Sequence, residues 1–271
     1  MASVLIVSDM HVGSSVGLCK PSVTLDDGGE YRYSPGQSWL WNCWNVTMER
    51  VEQHRQGDLF TVVNGDAVEG DCKRRSLQTI SRNPATINRL AADILEPLAR
   101  ISTGLFFIRG TMAHVGKSAS LEEQLAADLE AKQTETGAYS WPWLPLEVEG
   151  VLMDIAHHPG IGVGRNPWTK YNSINQLASR IEFEYCDARR PIPALAIRSH
   201  NHVYRDSLDN YRLRAITMPA WTLPTEYINT LAPGALADIG AVLVHCSAGY
   251  YEIEVIRFHP APAQVYSIGA K

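Results

Sequence analysis

Residues 3–11 read SVLIVSDMH. A β-branched run, Val4 to Val7, reads as a short strand, and it runs straight into D-x-H: Asp9 and His11 with one residue between them. In an extended segment, residues two apart point the same way. The spacing therefore predicts that a carboxylate and an imidazole face one point just past the end of a strand.

The same arrangement recurs along the chain. Leu59 to Val63 leads into Asn64-Gly65-Asp66, where the glycine lets the backbone turn as the aspartate is presented. Leu105 to Ile108 leads into IRGTMAHVG (residues 108–116), with Gly110, Thr111 and His114. Val151 to Ile155 leads into His157 and His158, which Pro159 follows. Ala194 to Ile197 leads into IRSHNHVY (197–204), with His200 and His202 in H-x-H. Ends of strands along one sheet edge are where α/β folds build their sites. A mixed set of imidazoles and carboxylates suits Mn, Fe or Zn better than Ca or Mg.

Helical patterns separate the early strands. Leu40, Trp41, Trp44, Met48 and Val51 form one amphipathic stripe, and Ile87, Leu90, Ala91, Ile94 and Leu98 another. Ser120 with Glu123 has the spacing of a capping box, opening a third helix with Leu121, Leu125 and Leu129 on one face. The first half reads β-α-β-α-β-α. Further β-rich runs at Leu213–Met218, Ala241–Val244 and Tyr251–Phe258 make the last third mostly strand. The expectation is a single α/β domain over 1–271, with mixed sheets and helices outside. Val12 to Ser38, rich in Gly, Ser, Asp and Pro, reads as one long loop insertion, and loops of that length are commonly functional.

The 271 residues are 45% hydrophobic and 20% charged, ordinary for a globular chain with a sizeable core. Lys and Arg number 24 against 29 Asp and Glu, a net charge of −5, which argues against non-specific coating of DNA. It leaves room for a nucleic-acid substrate held by a local basic patch. Lys73, Arg74 and Arg75 supply one candidate, as phosphate contacts or as a solvated basic run. The opening MASVLIVSDMH has no basic leader, and its apolar run is too short to span a bilayer, so no membrane association is expected. Five scattered cysteines without a CxxC fit a reduced, cytoplasmic setting.

D-x-H, G-D, a Gly-led turn with a histidine, H and H-x-H, in that order from Asp9 to His202, resemble the calcineurin-like metallophosphoesterase superfamily. The blocks DDGGEYRYSPGQSWLWNCW, GDAVEGD, RGTMAHVG and IRSHNH are similar to phage and prophage members of it, which would place the chain in a host cytoplasm. The resemblance implies a four-layer αββα sandwich. It also implies two divalent transition metal ions, Mn first, with Fe, Zn or Ni as alternatives. Asp9, His11 and His202 would hold the first ion, His157 and His200 the second, and Asp66 would bridge them. Such a pair activates water and neutralises phosphoryl oxygens during in-line displacement.

One turn departs from the pattern. Where the superfamily has Gly-Asn-His, this chain has Gly110-Thr111-Met112-Ala113-His114. A neutral threonine hydroxyl is a poor metal ligand, which leaves Thr111 as a candidate substrate contact. If Thr111 starts a helical turn, His114 falls on the same face, three residues on. His114 is then a general acid, a ligand of the second metal, or a packing residue. His158 faces substrate or packs. The reading that follows is hydrolysis of phosphodiesters, with a nucleotide or nucleic acid as substrate. Its rivals are a phosphomonoesterase on the same metals, a non-catalytic binding module with a degenerate second site, and a hydrolase of another ester class.

Overall fold

The computed structural model describes residues 1–70, 76–160, 172–231, 234, 236–261 and 265–268. Its first half comprises β1 (Ala2–Val7), β2 (Ser22–Thr24), β3 (Glu30–Arg32), α1 (Pro35–His54), β4 (Asp58–Asn64), α2 (Pro84–Ile101), β5 (Gly104–Ile108), α3 (Met112–Val115) and α4 (Ser120–Asp128). The second half comprises β6 (Ser140–Trp141), β7 (Leu144–Val148), β8 (Val151–Ile155), α5 (Asn172–Asp187), β9 (Leu195–Arg198), β10 (Arg205–Asp206), β11 (Arg214–Thr217), α6 (Glu226–Leu231), β12 (Ile239–Ser247) and β13 (Tyr250–Phe258).

Two mixed sheets face each other. One has the order β13-β12-β1-β4-β5-β6, and the other β10-β11-β9-β8-β7. Strand alternation sorts the core. Ala2, Val4 and Ile6 of β1 pack with Met153, Ile155, Leu195 and Ile197 between the sheets. Leu5 and Val7 point the other way, against Leu40, Trp44 and Leu90 of α1 and α2. On the far side, Ile174, Leu177, Ala178 and Ile181 of α5 cover Ala196 and Ala215. The result is the expected four-layer αββα sandwich. Helix α5 was not foreseen, although its apolar residues keep the i, i+3, i+4, i+7 spacing.

Two local expectations are corrected. Ser120 does not cap α4: it lies inside the helix, behind Ala119, and no side chain caps that end. Glu123 instead accepts from the Tyr139 and Ser140 amides, 2.7 and 2.9 Å away, anchoring β6. The capping box is at α1, where the Gln37 amide donates to Ser34 Oγ and the Ser34 amide to Gln37 Oε1. Helix α1 therefore starts at Pro35, inside the stretch read as loop. The rest of that stretch carries the β2–β3 hairpin. Gln37 Nε2 donates to the Ser14 and Gly17 carbonyls, both 3.1 Å away, and so fastens the segment to α1.

The second sheet holds a buried ion pair, Asp154 on β8 with Arg198 on β9, 2.5 Å apart. Tyr185 OH and Trp143 Nε1 also donate to Asp154, at 2.6 and 3.0 Å. Removing the carboxylate leaves a buried guanidinium without its counter-charge. Asp154→Ala is expected to lose about 3–5 kcal/mol in a urea denaturation series.

Candidate metal centre

All five predicted turns meet at one end of the two sheets, but not by the extended geometry that D-x-H and H-x-H suggested. Strand β1 ends at Val7, and Asp9 and His11 lie beyond it with φ of 52° and 45°. Asp66, His200 and His202 are also left-handed, at 53°, 71° and 54°. Each such non-glycine residue costs roughly 1–3 kcal/mol, and clusters of them mark sites whose surroundings enforce the shape. Neighbouring turns supply that enforcement. The amides of Asp9, His11 and Val12 donate to the carbonyls of Gly65, Asp66 and Ala67, at 2.9–3.0 Å. Ser199 N donates to His157 O at 2.8 Å, tying the fourth turn to the fifth.

Two glycines are required by close approach. A Cβ on Gly65 would collide with the His157 ring, and one on Gly110 with the Asp66 amide and carboxylate. Below them lies Glu122, fully buried on α4. Its Oε1 accepts from Ala67 N at 3.0 Å and its Oε2 from Gly110 N at 2.7 Å. One carboxyl thus fastens the second turn to the third. Burial and the nearby Asp66 push it up to about 7. Sequence reading missed Glu122. Its one signal is its place on the buried face of α4, with Leu125 and Ala126.

The donors fall into linked groups. Asp9, His11 and His202 bring ligand atoms within 4.8 Å of one another. His202 Nε2 stands 3.2 Å from Asp9 Oδ1. Among the described residues buried His11 Nε2 makes no hydrogen bond, and buried Asp9 Oδ1 has the His202 ring within ion-pair distance but no well-aligned hydrogen bond. A buried carboxylate oxygen and imidazole nitrogen aimed at one point are unfavourable unless a cation joins them. On this test the residues fit a metal ion.

Asp66 adjoins this group. Thr111 N donates to its Oδ1 at 2.6 Å, while its Oδ2 lies 3.1 Å from His157 Nε2 and 3.9 Å from His200 Nδ1. His157 Nδ1 is 2.7 Å from the Asn64 carbonyl, so it carries hydrogen and leaves Nε2 to face the site. His158 lies beside His157 and His200, with one nitrogen of each within 4.8 Å of the others. Burial would lower His157, but the Asp66 and Asp9 carboxylates outweigh it and push it up to about 10. Burial likewise disfavours the two carboxylates, yet His202 and His157 bring Asp9 down to about 2, and His157 holds Asp66 well below the usual range.

Glu69 and His114 form the remaining corner. Glu69 Oε2 is 2.6 Å from His114 Nδ1 and 3.2 Å from His11 Nδ1, and the two rings meet edge-on at 4.6 Å. Burial disfavours the Glu69 carboxylate, but hydrogen bonds from both imidazoles keep it ionised, at about 2. Thr111 does start a helical turn, with His114 N donating to its carbonyl at 2.8 Å. The two side chains nevertheless serve opposite ends: His114 stands by His11, and Thr111 Oγ1 lies 3.2 Å from His200 Nδ1. Lys73, Arg74 and Arg75 lie outside the described residues.

No family model matches the chain, and no curated protein matches it. Among solved structures it is similar to a dimetal phosphatase from Danio rerio, at 11% identity over 94% of this chain and 95% of that one, with a TM-score of 0.48. It is also similar to a hypothetical protein of Pyrococcus horikoshii, at 9% identity over 96% and 89%, TM-score 0.49. Vps29 of Chaetomium thermophilum follows the chain at 9% identity over 95% of each, TM-score 0.46. At such identities the likeness is one of chain path.

Proposed function

We propose that the protein is a metal-dependent phosphoesterase with a dinuclear site. One observation carries this reading: Asp66 adjoins both the Asp9, His11 and His202 group and the His157, His158 and His200 group, and the first has two buried atoms that make no hydrogen bond among the described residues. Asp9, His11 and His202 would hold one ion, His157 and His200 the other, and Asp66 would be shared. Bound there, two dications would acidify a water between them and neutralise phosphoryl oxygens. Mn is the first choice, with Fe, Zn or Ni compatible with so many imidazoles.

His114 would protonate the leaving oxygen. Glu69 Oε2 lies 2.6 Å from its Nδ1 and would orient the ring for that proton transfer. Phosphodiesters of nucleotides or nucleic acids are the preferred substrates. Lys73, Arg74 and Arg75, close in sequence to Asp66, support that preference.

The test is a Mn²⁺-loaded sample assayed on bis(p-nitrophenyl) phosphate and on p-nitrophenyl phosphate, with metal content measured in parallel. Two ions per chain and faster diester turnover are expected. Much faster monoester turnover would overturn the substrate preference. One ion or fewer, with no hydrolysis of either ester, would overturn the enzyme reading.

A further inference from the structure

We infer that His158 is a ligand of the second metal position, so that three imidazoles and the Asp66 carboxylate surround it. The inference rests on the dinuclear reading above and adds to it.

The three rings of His157, His158 and His200 converge. Their centroids are 4.9, 5.3 and 4.8 Å apart for the pairs 157–158, 157–200 and 158–200, and their planes cross at 81°, 70° and 66°. Stacked rings would point their nitrogens past one another. These rings meet edge to face, and one nitrogen from each lies within 4.8 Å of the others. Adjacent residues on a strand would diverge to opposite faces. Strand β8, however, ends at Ile155, so His157 and His158 occupy the turn beyond it and are free of that alternation.

The other two candidates for the position are poorer: Thr111 Oγ1 lies 3.2 Å from His200 Nδ1 but is a hydroxyl, and His114 stands with His11. Thr111 already gives its backbone N–H to Asp66 Oδ1, and its hydroxyl is a neutral, weak donor to a cation. His114 is bound to Glu69 at the opposite end of the site, beside His11. His158 is the remaining donor whose nitrogen is already among those of the second group. Its exposure matters too. His158 is exposed, so the turn is expected to stay folded when it is replaced.

Titration calorimetry with Mn²⁺ tests the assignment on the whole chain. The wild type is expected to bind two ions. His158→Ala should keep the first and weaken the second by about 10–100-fold or more, since even groups behind the ligands are worth that much. Thr111→Asn on the same background places an amide oxygen beside His200 and should recover the second ion, which loosening of the turn would not explain. If His158→Ala binds two ions as tightly as the wild type and only KM rises, His158 is a substrate contact and the inference falls while the dinuclear reading stands. If the wild type itself binds one ion or fewer, both fall together.

Discussion

Asp66→Asn is expected to lower turnover by about 10³-fold, while the chain stays folded. A carboxylate shared by two dications supplies both charge and spacing. Its loss should forfeit several kcal/mol of transition-state stabilisation, and about 4 kcal/mol corresponds to that factor. The amide is nearly isosteric, and its oxygen can still accept the Thr111 N–H that Asp66 Oδ1 receives at 2.6 Å. Circular dichroism should therefore show an unchanged fold in a variant that hydrolyses almost nothing under Mn²⁺ saturation. Wild-type turnover in this variant would refute the dinuclear assignment.

The same substitution has a consequence without metal. In the wild type, His157 rises from the ordinary 6.5 to about 10. A group raised on folding contributes stability that is complete below its unfolded value and is lost as pH climbs to the folded one. The metal-free wild type should therefore weaken between about pH 6.5 and 10, and Asp66→Asn should flatten that decline by removing a principal cause of the shift. Metal affinity should rise over the same window, because an ion must displace the His157 proton. Melting curves in chelator, compared between the two proteins, measure the first effect.

How much of this was legible in the sequence depends on the scale of the signal. Each of the five turns follows a β-rich run and carries its polar residues in a short motif, so both their place and their convergence could be read. The reason given for D-x-H was wrong. Asp9 and His11 converge through two left-handed residues braced by the turn after β4, and a partner 55 residues away leaves no mark on a three-residue motif. Ser120 and Ser34 show the same limit. Both have a glutamate or glutamine three residues on, but only Ser34 precedes a proline at the first helical position, and only Ser34 caps. Glu122 and Glu123 are neighbours of one residue type. Tertiary packing buries the first between two site turns and sends the second to β6, a division the local sequence does not encode.

His114→Ala is the other large effect. The expected result is a fall in kcat of about 10²–10⁴-fold, the usual contribution of a positioned general acid, with two ions still bound. Retained metal follows from geometry: the His114 imidazole is held by Glu69 beside His11, away from the His157, His158 and His200 donors. The size of the defect should depend on the leaving group. A p-nitrophenolate departs without help and hides part of the loss, whereas an alkoxide needs its proton and should expose all of it. The basic limb of the pH–rate profile, which reports the acid's ionisation, should also vanish in the variant. Glu69→Gln, which keeps a hydrogen-bond acceptor but removes the charge, should give a smaller defect of the same kind. A single ion in His114→Ala would instead make His114 a metal ligand. An equal defect on both leaving groups would remove it from proton transfer and leave it a role in holding His11 and Glu69 in place.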